Sequence, residues 1–175
     1  VDRPVPSKIL DKISTMVSVP RDQIFDAPDV GSIYDVPLEF YNRQLDDLIV
    51  DKLRLKRNPC RIHKYRELGE KRKSLTEVVH IGVFGKYTNN SAEAYMSLKE
   101  AISHAGLPND VRAEIDWIDV IAIEQNPELL KNLNIDAAIV PGGFDNRGIE
   151  GKIETIRHCR ENKIPFLGIC LGLQC

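Results

Sequence analysis

Pro165-Phe166-Leu167-Gly168-Ile169-Cys170-Leu171-Gly172-Leu173-Gln174 joins a short apolar run to a cysteine held between two glycines. The run 165–169 reads as a strand, and the next helix begins at the turn. A strand running into G-x-C-x-G has the layout of a nucleophile elbow with cysteine in place of serine. Glycines on both sides let the chain turn sharply without Cβ clashes, and the thiol is then held at the strand tip. The free N–H groups at the start of the following helix favour a thiolate and can hold an oxyanion. The plainer alternative is a small buried cysteine at a strand end, the usual fate of a lone cysteine. Two flanking glycines, a strand before and Gln174 four residues on make that alternative the weaker one.

The residues upstream repeat the strand–helix alternation. Ala137-Ala138-Ile139-Val140 is a second strand, a buried one, followed by Pro141-Gly142-Gly143. A helix is expected over 150–162, a further strand over 78–85, and a helix over 91–105 with Gly106 just past its end. Val111, Ala113, Ile115 and Trp117 alternate with polar residues, which predicts a strand. A short helix is expected over 127–133. Such alternation indicates a parallel α/β sheet whose ligand site lies at the carboxyl ends of the strands. The glycine pair 142–143 lets the backbone approach a ligand and face negative charge with N–H groups. Alone it would be an ordinary turn. A P-loop is excluded, because Gly151-Lys152 is followed by Ile153.

The first 55 residues read differently. A helix is expected over 7–16, capped by Ser7, with Ile9, Ile13 and Met16 on one face. Residues 22–26 are expected to form a short strand and 27–32 a loop. A helix from Pro37 to about residue 54 carries the stripe Leu38, Tyr41, Leu45, Leu48, Ile49 and Leu53. From Lys52 to Lys73 ten residues are Lys or Arg, against Glu67 and Glu70. This run could serve as an RNA or phosphate patch. With Tyr65 its one aromatic residue, it reads instead as a solvated linker.

Across 175 residues, 42% apolar and 29% charged, the composition is that of a globular protein, and a net charge of −2 gives no electrostatic signature of nucleic-acid binding. No apolar run approaches a membrane span. Cys60, Cys159, Cys170 and Cys175 form no C-x-x-C pair and suit neither zinc nor a disulfide framework, which places the thiols in a reducing, cytoplasmic setting. The chain begins on Val1 and stops at Leu173-Gln174-Cys175, so an internal piece of a longer protein is expected.

The G-x-C-x-G-x-Q run, following a P-G-G loop, resembles the class I glutamine amidotransferases. Gly142-Gly143-Phe144-x-x-Arg147-Gly148-x-Glu150-Gly151-Lys152 together with Ile164-Pro165-Phe166-Leu167-Gly168-Ile169-Cys170-Leu171-Gly172 resembles the CTP synthases in particular. So do Gly85-Lys86-Tyr87, Ala94-Tyr95-x-Ser97-Leu98-x-Glu100-Ala101 and His104-Ala105-Gly106, and upstream Asp29-Val30-x-Ser32-Ile33-Tyr34-x-Val36-Pro37 and Leu45-Asp46-Asp47. The resemblance covers the chain outside the basic run.

That resemblance implies a flavodoxin-like α/β parallel sheet, the first half of an amidotransferase domain over 77–175. Before it would come a basic linker over 56–76 and the C-terminal part of a Rossmann-like synthetase domain over 1–55. Cys170 would be the glutamine-attacking nucleophile, and the backbone of Gly143 and Leu171 the oxyanion site. Gly172, Leu173 and Gln174 would line the glutamine pocket. Lys12, by itself an ordinary solvated helix lysine, would lie at the UTP/CTP site and Val30 at the ATP adenine site. The implied substrates are glutamine, UTP and ATP, with Mg2+ and a GTP activator, in a homotetramer, and the pathway is pyrimidine biosynthesis. No nucleic-acid or membrane partner is implied. The family's histidine base follows the cysteine at a distance, and its magnesium ligands precede residue 1, so this chain is expected to be an inactive fragment. Two departures stand out: Asp145 where the family has glycine, and the stretch Thr88–Glu93. Another class I amidotransferase, or a non-catalytic interaction protein derived from one, are the rival readings.

Overall fold

The computed structural model describes residues 2–86, 94–143 and 146–175. Asp145, the stretch 88–93 and the start of the helix expected from residue 91 lie outside them. The chain divides into two compact units between Ser74 and Leu75.

The first unit is helical. Helix α1 spans Ser7–Val17, with Pro6 rather than Ser7 in the capping position and no side-chain cap. Leu10 is its buried residue, while Ile9, Ile13 and Met16 of the expected apolar face are exposed. No strand forms over 22–26. Arg21–Gln23 make a 3-10 turn instead, and Phe25 and Asp26 enter a side-chain knot. The Arg43 guanidinium donates to the Asp26 carboxylate and to its backbone carbonyl, each at 2.7 Å, and lies 5.2 Å from the centre of the Phe25 ring. The Val5 N–H donates to the same carboxylate. That bond, with Arg43 behind it, holds the Asp26 carboxyl below its ordinary value. The helix expected over 37–54 is broken in two: α2 spans Val36–Asn42 and α3 Leu45–Lys52. Gln44 between them is left-handed at φ 58°. Much of the basic run is ordered as α4, His63–Ser74.

The second unit is a four-stranded sheet: β1 Val78–Gly85, β2 Arg112–Asp119, β3 Ala137–Val140 and β4 Phe166–Gly168. All pairs are parallel and the order is β2-β1-β3-β4. This is the flavodoxin-like order, with its switch point between β1 and β3. Alternation sends Val79, Ile81 and Val83 to one face of β1 and His80, Gly82 and Phe84 to the other.

Helix α5, Met96–Gly106, lies on the first face. It includes Gly106, and Leu107–Asn109 extend it as a 3-10 turn. On the second face lie α6, Val120–Gln125, and α7, Ile149–Asn162. Here Phe84, Val120, Ile123, Leu130, Ala138, Val140 and Cys159 form the core. Burial pushes the Cys159 thiol above its ordinary value. Helix α6 was not expected; the Asp119 carboxylate caps it by accepting from the Ile121 N–H at 2.9 Å. The helix expected over 127–133 is a 3-10 segment, Pro127–Asn132. Among the described residues no helix is long and apolar enough to cross a membrane.

Candidate active site

Strands β3 and β4 end side by side, and the site is built where they stop. Val140 pairs with Gly168, and the Val140 carbonyl accepts the Ile169 N–H at 3.0 Å. The chain then turns at Cys170 with φ 52° and ψ −115°, a conformation that costs a non-glycine residue energy. Helix α8, Leu171–Gln174, starts at once: the N–H groups of Leu173 and Gln174 both donate to the Cys170 carbonyl.

Two glycines allow the turn. A Cβ on Gly172 would fall on the Val140 carbonyl oxygen, and one on Gly168 would lie 2.5 Å from the Gly172 carbonyl oxygen. The elbow is therefore seated on the end of β3, backbone against backbone. Cys170 itself is exposed.

The loop after β3 faces the thiol. A Cβ on Gly142 would stand 3.3 Å from the Cys170 Cβ and 3.7 Å from its Sγ. A Cβ on Gly143 would stand 3.9 Å from the Leu171 side chain and 3.6 Å from Lys86. The structure thus brings together Cys170, Gly142, Gly143 and Leu171. Gly172 is buried beneath the turn, and Leu173 and Gln174 are exposed on α8. Lys12 is exposed on α1, and Val30 lies half-buried in the loop before α2, both in the first unit.

Sequence reasoning passed over two side chains. Lys152 on α7 is fully buried, and its Nζ donates to the Pro141 carbonyl oxygen at 2.7 Å. Burial pushes this lysine below its ordinary value, and the charge of Lys86 adds to the effect. Glu124 on α6 accepts the Gly148 N–H at 2.9 Å and fixes the start of α7. A signal for Lys152 was present. It shares the i, i+3, i+4, i+7 face with Thr155, Ile156 and Cys159, the stripe that faces the core.

No group of three or more His, Cys, Asp or Glu among the described residues is arranged to hold a metal ion.

Comparison with known proteins gives this arrangement its class. Residues 91–175 match the family model described as glutamine amidotransferase class-I, so the second unit carries an amidotransferase domain. A solved structure of the Trypanosoma brucei CTPS glutaminase domain with bound acivicin is similar, with a TM-score of 0.51 and 35% identity over 55% of this chain and 38% of that one. Residues 1–55 match the model described as CTP synthase N-terminus. CTP synthases from Maridesulfovibrio salexigens and Pyrobaculum aerophilum are 44% and 41% identical over 94% and 99% of the chain. The chain belongs to the CTP synthase family. It spans 30% and 32% of the length of those two relatives.

Proposed function

We propose that this sequence serves the glutamine-dependent amination of UTP to CTP, and that Cys170 is the nucleophile of its glutaminase half. The observation that carries the proposal is the left-handed cysteine elbow set against the Gly142–Gly143 loop. The Cys170 sulfur attacks the carboxamide carbon of glutamine. The carbonyl oxygen becomes an oxyanion and accepts hydrogen bonds from the backbone N–H groups of Gly143 and Leu171. The C–N bond breaks, the nitrogen takes a proton from a general acid and leaves as ammonia, and a thioester remains for water to hydrolyse to glutamate. Leu173 and Gln174, exposed on α8, and Gly172 beneath it make the glutamine side of the site. The ammonia aminates UTP activated by ATP. Lys12 serves the UTP/CTP site and Val30 the adenine site, with Mg2+ and a GTP activator, in a cytoplasmic homo-oligomer.

The test is covalent labelling with the glutamine analogue acivicin followed by peptide mapping. Cys170 should be modified ahead of Cys60, Cys159 and Cys175, and Cys170→Ala should abolish the modification. Equal labelling of the exposed thiols would remove the reading.

The domain division proposed is the end of a synthetase domain over 1–55, a linker over 56–76 and amidotransferase sequence over 77–175. Residues 55–61 are exposed, without regular structure, and precede α4. Brief trypsin treatment should therefore cut first at Lys56 and Arg61; Arg57 is held by Asp47 and Asp51 at 3.0 and 2.7 Å. First cuts within α5 or α7 would count against the division.

A further inference from the structure

We propose that Lys152 is a positioning residue for the amidotransferase reaction: its ammonium holds the Pro141 carbonyl inward, so that the loop 141–143 keeps its backbone N–H groups turned toward the anion formed at Cys170. The inference rests on the glutaminase reading and assigns a role to a residue that touches neither the thiol nor the substrate.

Placement of the side chain is tightly determined. A Cβ on Gly151 would fall on the Val120 carbonyl oxygen, so α7 lies against α6 with no room for adjustment. Thr155 and Cys159, on the same face, are buried with it. From that fixed helix, Lys152 reaches under the loop and donates to Pro141 at 2.7 Å. Its Nζ stands 3.4 Å from where a Cβ on Gly143 would be.

The Pro141–Gly142 peptide is planar and trans, so its carbonyl and its N–H point to opposite sides. Holding the oxygen toward the core turns the Gly142 N–H outward, and the Gly143 peptide hangs from that plane. A side chain on Gly142 would project against Cys170, so the thiol lies directly beside this peptide. One hydrogen bond from the core thus sets the attitude of the loop beside the thiol.

A buried ammonium is costly where no counter-charge stands by. Among the described residues no carboxylate is paired with Lys152, and a second lysine, Lys86 just past the end of β1, reaches the same loop at Gly143. Burial and Lys86 disfavour its charged form, while Cys175 and Cys170 pull the other way. A helix that needed only to fill this space would carry methionine, which has a similar length and no charge. The missing counter-charge is the anion that the reaction creates at the elbow.

The experiment uses the whole chain and two reagents on one thiol. Iodoacetamide alkylates an exposed thiolate without help from the loop. Acivicin forms its S–C bond as chloride leaves, and its ring must dock against the loop while negative charge develops. Lys152→Met should slow acivicin labelling of Cys170 by about tenfold or more, a fraction of the loss on deleting an oxyanion donor. Iodoacetamide labelling should stay within about twofold, because that reagent uses no oxyanion donor. Lys152→Gln, shorter by one atom, should give the same change in ratio and serves if the methionine variant does not fold. Unchanged acivicin labelling overturns the proposal. Equal slowing by both reagents also overturns it, since that marks a role in folding alone. A parent chain that acivicin does not label at all brings down the glutaminase reading and this inference with it, a result distinct from either.

Discussion

Gly172→Ala is expected to lower the stability of the second unit by about 3 kcal/mol or more, at or above the upper end of what overpacking costs. The added methyl falls on the Val140 carbonyl oxygen. That oxygen already accepts the Ile169 N–H, so it cannot move without loosening the β3–β4 pair. The obstacle is backbone, and no side-chain rotamer can relieve it. The chain must either unseat α8 or peel β4 away. Trp117, the chain's one tryptophan, lies in β2 and reports unfolding of the sheet by fluorescence. The urea midpoint should fall clearly, with the slope of the transition preserved, and preferential labelling of Cys170 should vanish with it. A midpoint equal to the parent's would sink the account of the elbow as a unit seated on β3.

Glutamine is expected to release no ammonia above background when incubated with this chain, although Cys170 reacts. Attack needs a thiolate and an oxyanion site, whereas release needs a group to protonate the leaving nitrogen and to activate water. None of the three histidines of the second unit is placed for that. His80 lies near the start of β1 with its Nδ1 3.2 Å from Asp116, about 16 Å along the strand from its carboxyl end. His104 lies in the last turn of α5. That helix leads into the amino end of β2, the opposite edge of the sheet from the elbow. His158 is half-buried on α7, its ring against Asn162. His63 opens α4 in the first unit. A coupled glutamate-release assay, with Cys170→Ala as control, makes the measurement. Turnover that disappears in the control would show that one of these histidines reaches the thiol in solution.

Strand β2 was legible from its alternation of apolar and polar residues, and the other three strands as short apolar runs that end in or lead into glycine. The elbow was legible for the same reason: Gly168 and Gly172 are demanded by backbone contact, and only glycine satisfies it. What escaped was set by partners distant in sequence. Residues 22–26 have strand-like character, but Asp26 is claimed by Arg43 and Val5. The break at Gln44 uses a left-handed residue that is not glycine, so nothing in the composition announced it. Helix α6 is only six residues long and follows directly on β2, too short for a helical period to show. Lys152 escaped because lysine is by default a solvated residue, and its burial depends on where the Pro141 carbonyl comes to lie.

The order β2-β1-β3-β4 has a consequence for how the reactive thiol comes into being. Strand β4 pairs with β3 alone, and β3 docks on β1, which lies more than fifty residues earlier in the chain. Such long-range parallel pairings form late, after the loop entropy between them has been overcome. The strained dihedrals of Cys170 persist only while Gly172 rests on Val140, so the elbow cannot precede the sheet. A nascent or partly folded chain therefore carries an ordinary cysteine, and its special conformation arrives with the closing step of assembly. Folding itself acts as the safety catch on the nucleophile.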